Sequence, residues 1–224
     1  MAKSIIKFTK TREVQLPSRG HAHDAGIDFY VPKFDKSFLV ALEEKNETMF
    51  QKPCQCNNGS LYISSGTLTL SGGSSPNSDV KFDLHDENSG IIKFDEEKGL
   101  PYFLLAPLSR VNIPSGIYCQ MAEPGRVLIA ANKSGVASKE GLIYGAQVVD
   151  FEYQGEIHIN VINTSSKVVR IYEGQKLIQF LETPIFTSDI EEVDSLQNLY
   201  KGATSRADGG FGSTDKKDVK QLNS

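Results

Sequence analysis

With 224 residues and a formal net charge of −4, the chain is long enough for one compact domain with an appendage, or for two small domains. Its 39% hydrophobic content can supply a core, yet no apolar run reaches the ~18–20 residues of a membrane span. No basic stripe suits a duplex nucleic acid, and the first ten residues alternate apolar and charged side chains instead of forming a secretory signal, so a cytoplasmic location is expected.

Strand signals dominate from the N-terminus onward. Ile5 to Phe8 opens the series, and Gly26 to Val31 places Ile27, Phe29 and Val31 on one face. Residues 33–101 then change character: Gly, Ser and Asn punctuate short alternating runs, and seven lysines stand against eleven carboxylates, with no arginine. This stretch is expected to be a small β-rich inserted lobe, opened by a helix over Ser37 to Glu47. Strands resume at Tyr102 to Leu108, Ile117 to Met121 and Arg126 to Ala131. The run Glu156 to Ile162 alternates strictly, and Val168 to Ile171 and Leu177 to Leu181 follow. Pro114-Ser115-Gly116, Glu123-Pro124-Gly125 and Glu173-Gly174 read as turns. A short helix fits near Ser138 to Glu140 or Asp189 to Leu199. Many short strands at regular spacing predict an all-β fold, a sandwich or jelly-roll-like barrel. The expected organisation is residues 1–32 plus 102–200 as the barrel, 33–101 as the inserted lobe, and 201–224 as a flexible C-terminal arm.

The three cysteines fit reduced thiols better than a disulfide framework. Cys119 sits in an apolar run and is expected in the core. Cys54-Gln55-Cys56 supplies at most two metal ligands, with His85 the one other nearby in sequence, and His21-Ala22-His23-Asp24 has no identifiable third partner, so neither is read as a metal site.

The arm is rich in chemistry. Arg206 offers a planar fork for phosphate, and Phe211 a face on which a base can stack. Gly209, Gly210 and Gly212 let backbone N–H groups approach an anion, and Ser213 and Thr214 add hydroxyl donors. The alternative is a polar tail. Elsewhere, Asp150 follows an apolar Val148-Val149 expected to be buried, so it is expected at a partly desolvated strand end, where a carboxylate can take a proton from water or can simply hold its own turn.

Five segments in order resemble the homotrimeric dUTPase family: Ala25-Gly26-Ile27-Asp28-Phe29-Tyr30, Asn132-Lys133-Ser134-Gly135-Val136-Ala137, Gly145 to Glu156, Gly174-Gln175-Lys176-Leu177-Ile178-Gln179, and Arg206 to Thr214. The resemblance covers residues 1–32 and about 102–214, and residues 33–101 have no counterpart in the minimal family pattern. It implies a jelly-roll β fold, a homotrimer with active sites at subunit interfaces, and Mg²⁺-dependent conversion of dUTP to dUMP and pyrophosphate. Asp150 is then the general base that activates the attacking water, with Tyr153 packing under the deoxyribose. Asp28 would orient waters around magnesium. Lys133, Ser134, Gly135, Gln179 and Arg206 would meet the phosphates. A hairpin carrying Tyr144, Gly145, Ala146 and Gln147 would read uracil, and Phe211, Gly212, Ser213 and Thr214 would close over it. Lys133 and Lys176 stand where arginine is frequent, and Lys176 is expected as a surface or intersubunit charge. Gln147 stands where glycine is common. Two other functions remain open at this point: a dCTP deaminase-like enzyme of the same fold, and a regulatory binding protein that contacts a protein partner through 33–101.

Overall fold

The period-two alternation is realised as antiparallel sheet. The computed structural model describes residues 5–46, 54–55, 61–62 and 92–204. Among these, the chain order is β1 (Lys7–Lys10), β2 (Gly26–Tyr30), α1 (Lys36–Lys45), β3 (Cys54–Gln55), β4 (Leu61–Tyr62), β5 (Lys93–Asp95), β6 (Leu100–Leu105), β7 (Arg110–Gln120) and β8 (Arg126–Asn132). Then follow α2 (Ser134–Glu140), β9 (Leu142–Tyr144), β10 (Val148–Val149), β11 (Ile157–Asn163), β12 (Val169–Tyr172), β13 (Lys176–Pro184) and α3 (Leu196–Leu199). Two four-stranded sheets run β1-β7-β11-β9 and β10-β8-β13-β2, a third runs β12-β6-β5, and β3 pairs with β4. The all-β expectation holds. No helix among the described residues is long and apolar enough to cross a membrane.

Residues 1–186 and 187–224 form two separate units. In the second, the helix expected within Asp189 to Leu199 is confined to Leu196–Leu199, with Ser195 Oγ accepting from Asn198 N at 3.3 Å. In the first, one core draws on both large sheets. Ile113, Ile157, Ile159 and Val161 enter it from one, and Phe29, Leu128, Ala130 and Phe180 from the other. Phe29 and Phe180 meet with ring centroids 4.7 Å apart. Burying one such side chain stabilises the fold by about 1.5–3 kcal/mol. Ile157, Ile159 and Val161 are buried while His158, Asn160 and Ile162 are half-buried, as the alternation requires. Cys119 packs against this core, and burial pushes its thiol pKa up.

Two local expectations are corrected. Pro114-Ser115-Gly116 is no turn: it lies inside the eleven-residue β7. The register with β11 slips there, from Ile157↔Ile117 to His158↔Pro114, so Ser115 and Gly116 form a bulge. Gly116 takes φ +71°, its N–H donates to Glu156 Oε1 at 2.6 Å, and Ser115 Oγ donates to the Ile157 carbonyl. Glu156 is itself anchored by Arg12 at 3.1 Å. Nor is Tyr144–Gln147 a hairpin within one sheet. β9 is the edge of one sheet and β10 the edge of the other, so these residues form a corner by which the chain changes sheets.

The flanks of 33–101 are built into the main unit. Asp35 caps α1, its Oδ1 accepting from Phe38 N at 2.9 Å. Phe38 and Leu42 are fully buried in the core, and Phe34 stacks on Phe38 at 5.0 Å. At the other flank β5 pairs with β6.

Candidate active site

The site begins at β13, which lies between β8 and β2. Gln179 faces Asp28 on one side and Ala131 on the other. Gln179 Nε2 donates to the Asn132 carbonyl at 2.9 Å. A Cβ on Gly26 would collide with Gln179 Oε1, so the amide can cross only a glycine. Gly20, Asp24, Ala25, Gly26, Asp28, Lys133, Gln179 and Leu181 line a cleft of about 280 Å³.

Asp28 is buried at 5% exposure, although β2 is an edge strand. The N-terminal segment covers that edge through paired hydrogen bonds between Ser18 and Asp28 backbones, at 2.7 and 3.2 Å. The carboxylate is met by two lysines, Lys133 Nζ at 2.5 Å on Oδ1 and Lys176 Nζ at 3.0 Å on Oδ2. Burial pushes the Asp28 pKa up, but the hydrogen bonds and charges of Lys133 and Lys176 outweigh it and hold it below the ordinary carboxylate value. Hydrogen bonds to Asp28 and Tyr30 hold Lys176 above the ordinary lysine value. The two ammoniums balance the carboxylates of Asp28 and of Asp24, which also lines the cleft, so an anion would be met there by lysine donors and not by a net positive charge. Ser134 and Gly135, exposed in the first turn of α2, carry N–H groups that no helical carbonyl can reach. A larger cleft of about 900 Å³, past the other end of α2, contains none of the expected site residues.

Lys176, expected as a surface or intersubunit charge, keeps a side chain 40% exposed and pairs with Asp28 of the same chain. Asn132 is a contact that the sequence did not single out. Its carbonyl holds Gln179, and its side-chain Oδ1 accepts from Tyr144 N at 2.9 Å. One residue thus ties the anion cleft to the start of the corner. Its position directly before Lys133 was the only sequence signal.

The corner presents backbone to solvent. Gly145, Ala146 and Gln147 are exposed. The Gly145 N–H donates to Asn160 O at 3.0 Å, and the Gln147 carbonyl accepts from Ala130 N at 2.7 Å. Among the described residues, no partner engages the peptide groups of Ala146. Beyond the corner, the expected desolvation of Asp150 is not found: β10 is an edge strand, Val148 is 57% exposed and Asp150 is exposed, its carbonyl accepting from Tyr153 N at 3.2 Å. Tyr153, 44% exposed, donates its hydroxyl to Glu156 O at 2.9 Å.

Asp150 does not meet the cleft within one chain. It follows Val149, which pairs with Leu128, and so stands level with Val127 on β8. Lys133 lies six residues further along, roughly 20 Å at ~3.3 Å per residue. Asp28 is level with Ala131 and lies three strands from Asp150 across the sheet, roughly 20 Å by the same spacings. Arg206, Phe211, Gly212, Ser213 and Thr214 lie outside the described residues. Among those described, no three His, Cys, Asp or Glu side chains gather as a metal-holding group.

A family model described as dUTPase matches residues 100–215, more than half of the chain. The chain belongs to the dUTPase family. A deoxyuridine 5'-triphosphate nucleotidohydrolase of Clostridium novyi is 32% identical over 137 residues, which span 60% of this chain and 89% of that protein. A protein of the same name from Candida albicans is 40% identical over 104 residues, but the match spans only 58% of its length. Among solved structures, the dUTPase of Staphylococcus bacteriophage 80alpha with dUPNHPP aligns over 93% of this chain and 97% of its own. Its TM-score of 0.55 at 16% identity establishes a shared dUTPase fold.

Proposed function

We propose that the chain hydrolyses dUTP to dUMP and pyrophosphate in sites completed between subunits of a homotrimer. The observation that carries this is a divided site. The cleft of Asp28, Lys133 and Gln179 and the proposed water-activating end at Asp150 stand too far apart to serve one substrate in one chain. A general base must lie within hydrogen-bond reach of the proton it takes, or one water away. Heterologous packing around a threefold axis can bring the Asp150 end of one copy to the cleft of the next. Family membership, and relatives named for action on deoxyuridine triphosphate, support the substrate.

In this reading Lys133, Ser134 and Gly135 hold the phosphates and Gln179 contacts phosphate or water. The corner reads the base with backbone alone: the Ala146 N–H and C=O alternate as donor and acceptor, matching a pyrimidine edge. Tyr153 packs against the sugar, and a 2′-hydroxyl placed there would be desolvated without a partner. Asp150 takes the proton from the attacking water. Arg206 and Phe211 belong to the arm that would close the site. Asp28 would hold Mg²⁺ through water, and the metal would supply charge compensation for the phosphates. Asp28, with both oxygens held by lysines, keeps acceptor capacity for a metal-bound water and suits a second-sphere role.

Pyrophosphate release from dUTP, dCTP, dTTP and UTP tests the reading, with dUTP expected to lead in kcat/KM. Ammonia release from dCTP would favour the deaminase instead. Asp150→Asn should lower kcat by about 10²–10⁴ and leave nucleotide affinity nearly intact. Wild-type turnover in that variant would remove Asp150 from the mechanism.

A further inference from the structure

The corner that precedes Asp150 is braced by a line of three asparagines that begins at the far side of the sheet. At Asn112, β7 has an open edge, because β1 covers only Ile117 to Gln120. Asn46, the residue that ends α1, fills that edge. Its Nδ2 donates to Asn112 O at 2.9 Å and its Oδ1 accepts from Asn112 N at 2.8 Å, so one side-chain amide imitates a strand neighbour. Nδ2 also donates to Leu42 O at 2.7 Å, and Asn46 is 3% exposed. On the other side of β7, Asn112 pairs in register with Asn160, whose Nδ2 lies 3.4 Å from Asn112 Oδ1. That contact turns Asn160 Oδ1 toward the corner, where a Cβ on Gly145 would collide with it. The Gly145 N–H donates to the Asn160 carbonyl. Gly145 is thus held by Asn160 through backbone and side chain together, while Asn132 holds Tyr144 from the opposite sheet.

We propose that Asn160 is a positioning residue for base discrimination, and that Asn46, at the root of the 47–91 segment, acts through it. The inference rests on the reading of the corner as the base site. Peptide groups can discriminate between pyrimidine edges only if they are fixed, since a shift of about 1 Å exchanges a hydrogen bond for an unpaired polar group. Neither asparagine needs to touch the nucleotide. Asn160 fixes the height of Gly145, and with it the peptide groups of Ala146. Asn46 fixes Asn112, on which Asn160 leans. The segment absent from the minimal family pattern is therefore mechanically joined to specificity through its first helix.

The test is a double-mutant cycle on kcat/KM for dUTP and dCTP in the full-length protein. Asn160→Ala should raise KM for dUTP about five- to tenfold, with kcat within about twofold, and should narrow the dUTP preference by a similar factor. Asn46→Ala should act in the same direction but more weakly, and the double variant should fall short of the product of the two. Should Asn46→Ala fail to fold, Asn46→Asp, which keeps the acceptor toward Asn112 N, replaces it in the cycle. A folded Asn160→Ala protein with unchanged KM and unchanged preference would overturn the proposal, as would strictly multiplicative effects. A lowered melting temperature with intact preference would mean that the asparagines serve only the fold, and would also overturn it. Wild-type protein without any preference for dUTP would instead sink the reading of the corner itself, so the two failures are distinguishable.

Discussion

Asp28 shows how much one carboxylate can organise. Its position in a strand pattern suggests an outward charge, yet Ser18 closes the edge over it and two lysines neutralise it. Because its folded pKa is depressed, its stabilising effect is present above the ordinary carboxylate value and is lost only as pH falls through the lower, folded value. Unfolding by urea across pH 7 to 3 should therefore show the Asp28 contribution persisting below about pH 4. Asp28→Asn should destabilise by about 1–2 kcal/mol at neutral pH, a range discounted for the exposure of both lysines. It should also flatten the acid limb of that profile, and an unchanged limb would show that the lysines do not sense Asp28. Gly26→Ala makes a second residue-scale test. The added methyl group would force Gln179 off the Asn132 carbonyl. Overpacking typically costs about 1–3 kcal/mol of stability, and loss of a hydrogen bond from the displaced Gln179 amide to substrate should lower kcat/KM for dUTP about tenfold in a protein that still folds. Wild-type kinetics in Gly26→Ala would mean that the Gln179 amide is not required where the structure holds it.

At the scale of elements, α1 decides what can be removed from this chain. It lies inside the stretch that composition marks as foreign, yet Phe38 and Leu42 are fully buried and Asn46 completes the edge of β7. Deleting 33–101 would expose that core, at about 2–5 kcal/mol for each large apolar side chain lost. Replacing 48–91 by a short linker would keep α1, β5 and β6. The shorter excision should give a folded protein that hydrolyses dUTP, and the longer one a strongly destabilised protein, with thermal melting and pyrophosphate release as readouts. Equal stability of the two would contradict the role assigned to α1. β7 carries the complementary lesson. Pro114-Ser115-Gly116 has turn composition, but Glu156 and Ser115 satisfy the bulged backbone and let the strand run on.

For the whole molecule, the proposed function makes assembly a condition of activity, because Asp150 stands apart from the Asp28–Lys133–Gln179 cleft. Complementation between inactive variants should expose it. Asp150→Asn and a variant combining Lys133→Ala with Gln179→Ala should each be nearly inactive alone. Coexpressed, they should form mixed trimers in which about a quarter of the sites draw one intact half from each parent. Recovery of a comparable fraction of wild-type turnover is the expected result, read against the two variants mixed after separate folding. No recovery from proven mixed trimers would mean that each site is built within one chain.

How much of this was legible in the sequence varies with the kind of interaction. Strand alternation specified Ile157, Ile159 and Val161 as core, because a period of two has one buried face wherever the strand is placed. The order and composition of the segments around Asp28, Lys133, Asp150 and Gln179 pointed to the dUTPase family, because polar and charged side chains at set spacings are more particular than apolar ones. Contacts between residues distant in the chain could not be read this way. The grip of Lys176 on Asp28, the bridge through Asn132, the line from Asn46 to Gly145 and the sheet-changing corner all join strands whose pairing no local pattern encodes. The sequence by itself determined the β class, most of the strands and the family, since alternation and motif order are local. Only the tertiary structure decided where the two halves of the site stand, because that distance is set by strand register and sheet order.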